Sequence, residues 1–240
     1  SGVFEGKTTG TPISMAVFNK DQHSKDYSAI KDVYRPGHAD YTFWEKYGIR
    51  DYRGGGRSSG RETIGRVAAG AIAVQILEAL GITICAYTKS IGPVEIEQFD
   101  APEIHKNPLA MPDANAAKKA QEYLENCIHN QDSSGGVIEC RVQGMPVGIG
   151  EPVFDKLDAT LAKAMLSIGA VKGFEIGDGF LAATATGSAN NDAFVIQDEQ
   201  VKKQTNHSGG VLGGMSDGDE IVFRVAVKPT PSISQKQQTV

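Results

Sequence analysis

The fold is decided by residues 59–86, which read SGRETIGRVAAGAIAVQILEALGITICA. Apolar side chains recur in this stretch at helical spacing, and they predict a helix over about 59–80 with Ser58 or Ser59 as its cap. Gly81 is the residue type that ends helices. The β-branched residues after it predict a strand over 82–88. The apolar positions of the helix are Ile64, Val67, Ala68, Ala71, Ile72, Ile76 and Leu80.

Outward from this stretch, helices and strands are interspersed without a regular βαβ alternation, so we expect a mixed α/β (α+β) fold with antiparallel pairing. Periodicity predicts helices over 114–129 and 155–168, with Ala117, Ala120, Leu124 and Ile128 facing inward in the first and Leu157, Leu161, Met165 and Ile168 in the second. Further strands are predicted over 3–18, 137–143, 173–186 and 219–227, and long loops over 89–115 and 187–218.

The composition excludes several classes of protein. The length favours a single domain over residues 1–240, with two small domains as the alternative. The formal net charge of −5 argues against a general polyanion binder. No apolar run approaches the roughly 20 residues that cross a bilayer. Three cysteines without C-x-x-C spacing indicate a reducing, cytoplasmic location rather than a disulfide framework.

A basic, glycine-rich segment lies immediately before the first helix. Between Lys46 and Arg66 there are six basic residues and two acidic ones, so the local charge is positive. The triple glycine at 54–56 lets the backbone approach a ligand closely, and the helix N-terminus offers N–H donors. Arginine adds a planar fork for phosphate or carboxylate. We therefore predict an anion site; the alternative is a surface cap with salt-bridged arginines.

His38 is the strongest candidate among the five histidines. Pro36 and Gly37 predict a turn beside it, and Asp40 can orient its imidazole. His207 is a weaker candidate. A solvated loop histidine is the alternative in both cases.

Two further turns carry polar groups. Asp178, between Gly177 and Gly179, is predicted to occupy a hairpin turn. The segment from Lys228 to Ser232 follows a strand and offers an ammonium and two hydroxyls. A structural turn is the simplest interpretation of that segment, and these groups would also suit a phosphate or a flavin tail.

Six stretches contain long and specific motifs in one order. The first three are 26–30 (DYSAI), 35–42 (RPGHADYT) and 47–63 (YGIRDYRGGGRSSGRET). The others are 170–180 (AVKGFEIGDGF), 206–214 (NHSGGVLGG) and 228–232 (KPTPS). Together they resemble the chorismate synthase family over the whole of residues 1–240.

The resemblance implies a lyase of the shikimate pathway to the aromatic amino acids. Its reaction would be the 1,4-anti elimination of phosphate from 5-enolpyruvylshikimate 3-phosphate, which gives chorismate. Reduced FMN is implied as the cofactor, with NADPH as a candidate reductant. The family fold is a β-α-β sandwich, with helices packed between largely antiparallel sheets, and it assembles into a homotetramer.

The resemblance also assigns residues. His38 is implied to supply a proton beside the reduced flavin. Arg35 is implied to contact an anion of the substrate or of the flavin, and Arg61 is a weaker candidate for the substrate. The implied FMN contacts are Arg57, Ser58, Ser59, Gly169, Ala170, Gly213, Lys228, Pro229, Thr230, Pro231 and Ser232. No protein-bound metal, nucleic acid or membrane partner is expected.

The sequence departs from the family pattern at both ends. A Gly-Glu-Ser-His-Gly type motif at the N-terminal side and an Arg-x-Asp motif at the C-terminal side are absent from the 240 residues. We therefore expect the 240-residue chain alone to be inactive. A non-catalytic FMN- or phosphate-binding module is the alternative. A nucleic-acid protein is disfavoured by the net acidity and by the lack of aromatic residues interleaved with the arginines.

Overall fold

The computed structural model describes residues 1–19, 28, 30–53 and 56–240, with only the backbone at Arg57. Of the motif residues above, Asp26, Tyr27, Ala29, Gly54 and Gly55 lie outside the described residues. Two compact units are present, Ser1–Ala73 with Gln238–Val240 and Val74–Gln237. Within the described part of the chain, no helix is long and apolar enough to cross a membrane.

The first unit begins with a two-stranded hairpin and a short helix, and it also includes the first part of a longer helix. The hairpin is β1 (Val3–Phe4) with β2 (Lys7–Thr8), and the short helix is α1 (Asp40–Tyr47). The predicted strand over 3–18 is wrong for most of its length, because positive φ angles at Gly6 (75°) and Gly10 (78°) turn the backbone. Helix α1 ends at Gly48, whose left-handed backbone lets its N–H donate to the Trp44 carbonyl at 2.8 Å.

The predicted helix over 59–80 is confirmed as α2 (Thr63–Ala79). Its predicted first turn is two 3₁₀ turns, Gly56–Ser58 and Gly60–Glu62, and the Ser59 side chain accepts the Arg61 N–H at 3.3 Å as a cap. At the other end Gly81 has a φ of 79°, and the Ile82 N–H donates to the Leu77 carbonyl at 2.9 Å. No residue of α2 is buried among the described residues.

The second unit is built on a five-stranded antiparallel sheet. Its strands are β3 (Thr83–Ile91), β4 (Val94–Glu95), β5 (Gly136–Gln143), β6 (Val171–Ile176) and β11 (Ile221–Val227). Their order across the sheet is β4-β3-β5-β11-β6. This mixture of helices with an antiparallel sheet confirms the predicted fold class. The predicted strand over 173–186 ends at Ile176, because the chain turns at Gly177 into a 3₁₀ helix over Gly179–Thr184.

Two helices cover the second unit. Helix α3 (Ala114–His129) buries Ala117 and Ala120 as predicted. Ile128 is 73% exposed, so the prediction that it faces inward is wrong. Helix α4 (Leu157–Leu166) packs against the sheet core through the predicted residues Leu157, Leu161 and Met165, and the predicted Ile168, two residues after its end, packs there as well. All four are partly buried, and the apolar area they remove from water holds α4 on the sheet.

The predicted loop over 187–218 contains regular structure. It holds α5 (Gly187–Asn190), the hairpin of β7 (Phe194–Gln197) and β8 (Gln200–Lys203), and the hairpin of β9 (Val211–Leu212) and β10 (Met215–Ser216). Its strands are two to four residues long, which is too short for a period-two pattern to be recognised.

Candidate functional site

His38 lies against a buried carboxylate at the start of α1. Its Nδ1 is 2.9 Å from Asp40 Oδ1. Arg35 donates from Nε to Asp40 Oδ2 at 2.8 Å and from Nη2 to Oδ1 at 3.0 Å. The predicted turn is present, since the His38 N–H donates to the Arg35 carbonyl at 3.1 Å and Gly37 has a φ of 70°. The turn is why Arg35 and His38 meet the same carboxylate.

Asp40 is ionised in this cluster. It is only 3% exposed, and burial alone would raise its pKa. Hydrogen bonds from the side chain and the backbone N–H of Arg35 outweigh burial and hold the pKa of Asp40 well below its usual range. An ionised carboxylate only accepts and a guanidinium only donates, and Nδ1 of His38 lies 2.9 Å from Asp40 Oδ1 and 3.0 Å from Arg35 Nη2. Nδ1 is therefore held within the cluster in either tautomer of the ring.

A second arginine closes the cluster. Arg50 Nη1 is 3.1 Å from Asp40 Oδ2, and Arg50 Nη2 donates to the Val33 carbonyl at 2.8 Å and to the Lys31 carbonyl. Its guanidinium lies 5.3 Å from the ring centre of Tyr34. The guanidinium of Arg50 therefore binds groups within the segment 31–40 and stabilises its conformation. Two arginines around one carboxylate still leave a net positive charge beside His38.

The predicted residues at the start of α2 are more exposed. Ser58 and Ser59 are half-buried and Arg61 is exposed, and Arg61 lines a cavity of about 860 Å³ between residues 13–19 and the start of α2. The backbone of Arg57 lies in the 3₁₀ turn Gly56–Ser58, while its side chain lies outside the described residues. These four assignments stay predictions.

In the second unit, two of the predicted flavin segments meet. The Lys228 N–H donates to the Ala170 carbonyl at 2.9 Å, where β6 begins and β11 ends. The Ser133 hydroxyl donates to the Thr230 carbonyl at 2.7 Å and fixes the following turn. Ala170 has a φ of 71°, a conformation that non-glycine residues rarely adopt. The structure therefore brings Gly169 and Ala170 together with the segment Lys228–Ser232.

Gly213 lies at the other end of α4. It is in the turn of the β9–β10 hairpin, and the next residue, Gly214, accepts the Leu157 N–H at 2.7 Å at the first residue of α4. Ala170 follows the last turn of that ten-residue helix, which is about 15 Å long. Gly213 is therefore not close to Ala170. A Cβ added at Gly213 would meet nothing within 4 Å, so its backbone is open to a ligand.

His207 and Asp178, both noted in the sequence, form a pair. Asp178 Oδ2 is 2.7 Å from His207 Nδ1 and accepts from Asn190 Nδ2 at 3.2 Å. The predicted hairpin turn at Asp178 is wrong, because the residue precedes a 3₁₀ helix rather than a returning strand. The pair joins segments 29 residues apart in sequence, and no local spacing signals it.

The class of fold follows from a solved structure that is similar to this chain. It is described as a crystal structure of chorismate synthase, and the match has a TM-score of 0.81 and 31% identity over 96% of this chain and 71% of that one. The α+β architecture described above is therefore that of a chorismate synthase.

The family is shown by sequence. The chorismate synthase family profile matches residues 1–240, so the chain belongs to the chorismate synthase family. The chain is 68% identical to the chorismate synthase of Agathobacter rectalis and 69% identical to that of Lachnospira eligens, over all of its own length in both cases. It spans 66% of the length of each of these relatives.

Proposed function

We propose that the complete protein is a chorismate synthase that eliminates phosphate from 5-enolpyruvylshikimate 3-phosphate to give chorismate. The single observation that carries the proposal is the family match over residues 1–240, which includes the buried His38–Asp40 pair. The proposed enzyme acts in the shikimate pathway and uses reduced FMN, with NADPH as the candidate reductant. A cytoplasmic homotetramer, with residues 1–240 in one domain of each subunit, completes the proposal.

The charge around His38 supports an anionic substrate. The substrate carries carboxylates and a phosphate, and the leaving phosphate gains negative charge in the elimination. Arg35 and Arg50 neutralise Asp40 and leave one positive charge in excess. Arg35 belongs to this preorganised cluster, whose surplus positive charge favours an anion beside it. Preorganised donors of this kind stabilise developing negative charge.

His38 performs the proton exchange in this proposal. Asp40 and Arg35 hold the imidazole at Nδ1, so the ring orientation is fixed before the substrate binds and the proton exchange is assigned to Nε2. Nε2 can then give or take a proton without movement of the ring. A positioned acid–base group of this kind contributes roughly 10²–10⁴ to the rate.

The residues assigned to FMN fit a phosphorylated flavin. The backbone at 169–170 and the turn 228–232 are adjacent, and Lys228 adds an ammonium and Thr230 and Ser232 add hydroxyls. Gly213 offers backbone with nothing packed against it. When bound, reduced FMN would supply electron density to the departing phosphate and recover it as the C6 hydrogen leaves. The residues of the chain bind and orient the cofactor.

An anaerobic assay tests the proposal. The full-length protein, given reduced FMN and 5-enolpyruvylshikimate 3-phosphate, is expected to form chorismate and phosphate in equal amounts. The 240-residue chain is expected to form neither. FMN and the substrate should also tighten each other's binding. FMN binding that the substrate does not affect, with no product from the full-length protein, would favour the non-catalytic binding module instead.

A further inference from the structure

A buried lysine in the second unit has all three of its N–H donors satisfied. Lys203, at the end of β8, donates from Nζ to Asp217 Oδ2 at 2.6 Å, to Ser208 Oγ at 2.7 Å and to Asn206 Oδ1 at 3.1 Å. Its side chain is 3% exposed. An ammonium has three donors and no acceptor, so these three hydrogen bonds use every donor of the Lys203 side chain.

Carboxylates outnumber the lysine around this point. Asp219 Oδ2 and Asp192 Oδ2 lie 3.4 Å and 3.6 Å from Lys203 Nζ, in addition to Asp217. Burial alone would lower the pKa of Lys203, but its contact with Asp217 and the other carboxylates raise it above the usual value. Removing the lysine would leave two nearly buried carboxylates, Asp192 and Asp217, without their cation.

The partners of Lys203 lie on both sides of the β9–β10 hairpin. Asn206 and Ser208 precede Val211, and Asp217 follows Ser216. The two stems are also joined by the Asp217 N–H, which donates to the Gly210 carbonyl at 3.1 Å. Lys203, which belongs to the β7–β8 hairpin, therefore contacts both stems of the six-residue hairpin 211–216. The turn of that hairpin is Gly213 and Gly214.

Asp192, just before β7, also accepts the His207 N–H at 2.8 Å and the Ser208 N–H at 3.0 Å, both on the first stem of the hairpin 211–216. A cavity of about 450 Å³ separates the two hairpins, with Phe194 and Val201 on one wall and Leu212 and Met215 on the other. Asp192 contacts the first stem, whereas Lys203 contacts both stems of the hairpin. On its far side the hairpin is held by backbone bonds between Ser216 and the segment 148–149, and by the Leu157 N–H, which donates to the Gly214 carbonyl at 2.7 Å.

We propose that Lys203 is a positioning residue for the flavin: it clamps both stems of the hairpin 211–216 and so holds the open backbone of Gly213 in place for the cofactor. The inference rests on the proposed function, because Gly213 is an FMN contact only under that proposal. Lys203 itself touches neither cofactor nor substrate. Its effect should therefore appear in the affinity for FMN and not in the chemical step.

The test uses K203M in the full-length protein, with K202M as the matched control. Methionine keeps the length of the side chain and removes the charge and the donors. Lys202 neighbours Lys203 but is exposed, and it pairs with Val195 on the opposite face of the β7–β8 hairpin. We expect K203M to weaken FMN binding about tenfold, because the hairpin must be ordered when the cofactor binds. The kcat at saturating FMN and the KM for substrate should stay within about twofold of wild type.

Hydrogen exchange provides the structural readout. The amides of 211–217 should exchange faster in K203M and be unchanged in K202M. The conservative variant K203R should recover part of the FMN affinity. If K203M fails to fold, D217N replaces it, since it weakens the contact to one stem only and should give a smaller change in the same direction.

Several results would overturn the inference. One is FMN affinity unchanged in K203M, whether or not the hairpin exchanges faster. Another is a loss of kcat at saturating FMN as large as the loss of FMN affinity, which indicates a structural role only. Failure of the proposed function can be told apart from these results, because the wild-type protein itself would then not bind FMN. That result would overturn the inference as well.

Discussion

Two of the buried ionic clusters in the described part of the chain have central charges of opposite sign. In the first unit a carboxylate, Asp40, is enclosed by Arg35, His38 and Arg50. In the second unit an ammonium, Lys203, is enclosed by Asp192, Asp217 and Asp219. Each central residue is almost completely buried, and each is held by hydrogen bonds as well as by charge.

The surplus charge is what distinguishes the clusters. Two arginines against one aspartate leave at least one positive charge beside the His38 imidazole. One lysine against three aspartates leaves two negative charges. A positive surplus attracts a phosphorylated substrate and a negative surplus repels it. We therefore expect substitutions in the first cluster to change the chemistry and substitutions in the second to change stability and cofactor binding.

The largest expected effect is that of His38→Ala on turnover. Under the role proposed for His38, its loss should lower kcat by roughly 10²–10⁴ in the full-length protein. The measurement is chorismate formation under anaerobic conditions with reduced FMN at saturation. His129→Ala, at the exposed end of α3, is the control and should match wild type. A kcat for His38→Ala near that of wild type would exclude the assigned role.

Asp40→Asn should affect both stability and rate. Removing one partner of a buried ion pair leaves Arg35 and Arg50 uncompensated and costs about 3 kcal/mol of unfolding free energy. Because the pKa of Asp40 is lowered in the folded state, its stabilisation is complete above the ordinary carboxyl pKa of about 3.9 and is lost as the pH falls below it.

Denaturant unfolding at several pH values checks this prediction. The difference between wild type and Asp40→Asn should be constant near neutral pH and should shrink below about pH 4. The rate of the variant should also fall, since Nδ1 of His38 loses its carboxylate partner. A stability difference that stays constant down to acid pH would contradict an ionised, buried Asp40.

The contrast between the clusters also marks what sequence can predict. The helices α2, α3 and α4 were predictable because their apolar residues recur within one element, and the four residues predicted to face inward over 155–168 all pack against the sheet core. His38 and Asp40 were predictable because both lie in one turn. The Lys203 cluster was not, because its partners lie 3 to 16 residues away on loops without a period.

The same reasoning accounts for the errors. Helix α1 (DYTFWEKY) has no regular apolar stripe, so nothing predicted it. Asp178 between two glycines has the local pattern of a hairpin turn, yet its partner is His207, far along the chain. Arg50 was counted as part of an anion site, but its donors are used by Asp40 and backbone carbonyls. Burial and long-range pairing decided each of these cases.

In the second cluster, Asp192→Asn should reduce stability more than rate. Asp192 accepts the Thr205 hydroxyl at 2.7 Å, the His207 N–H at 2.8 Å and the Ser208 N–H at 3.0 Å. An amide cannot accept at both of its ends, so we expect a loss of about 1–3 kcal/mol in denaturant unfolding. At saturating FMN, kcat should remain close to wild type. A kcat as low as that of Asp40→Asn would remove the distinction between the clusters.

The smallest expected effect is that of Arg53→Ala. Arg53 pairs with Asp51 at 3.4 Å, and both side chains are about half exposed or more. Exposed pairs of this kind contribute at most about 1 kcal/mol. Arg50→Ala, three residues earlier, removes a side chain that is 9% exposed and should cost several times more. Equal decreases in Tm for Arg53→Ala and Arg50→Ala would mean that burial does not determine how much each arginine contributes to stability.

The most direct measurement is a structure of the full-length protein with FMN and 5-enolpyruvylshikimate 3-phosphate bound together. We predict Nε2 of His38 within about 3.2 Å of a flavin or substrate atom, or one water away, with Nδ1 still on Asp40. Both ligands bound together at a site that His38 does not reach would contradict the assignment of His38 and the meaning given to the positive cluster around it.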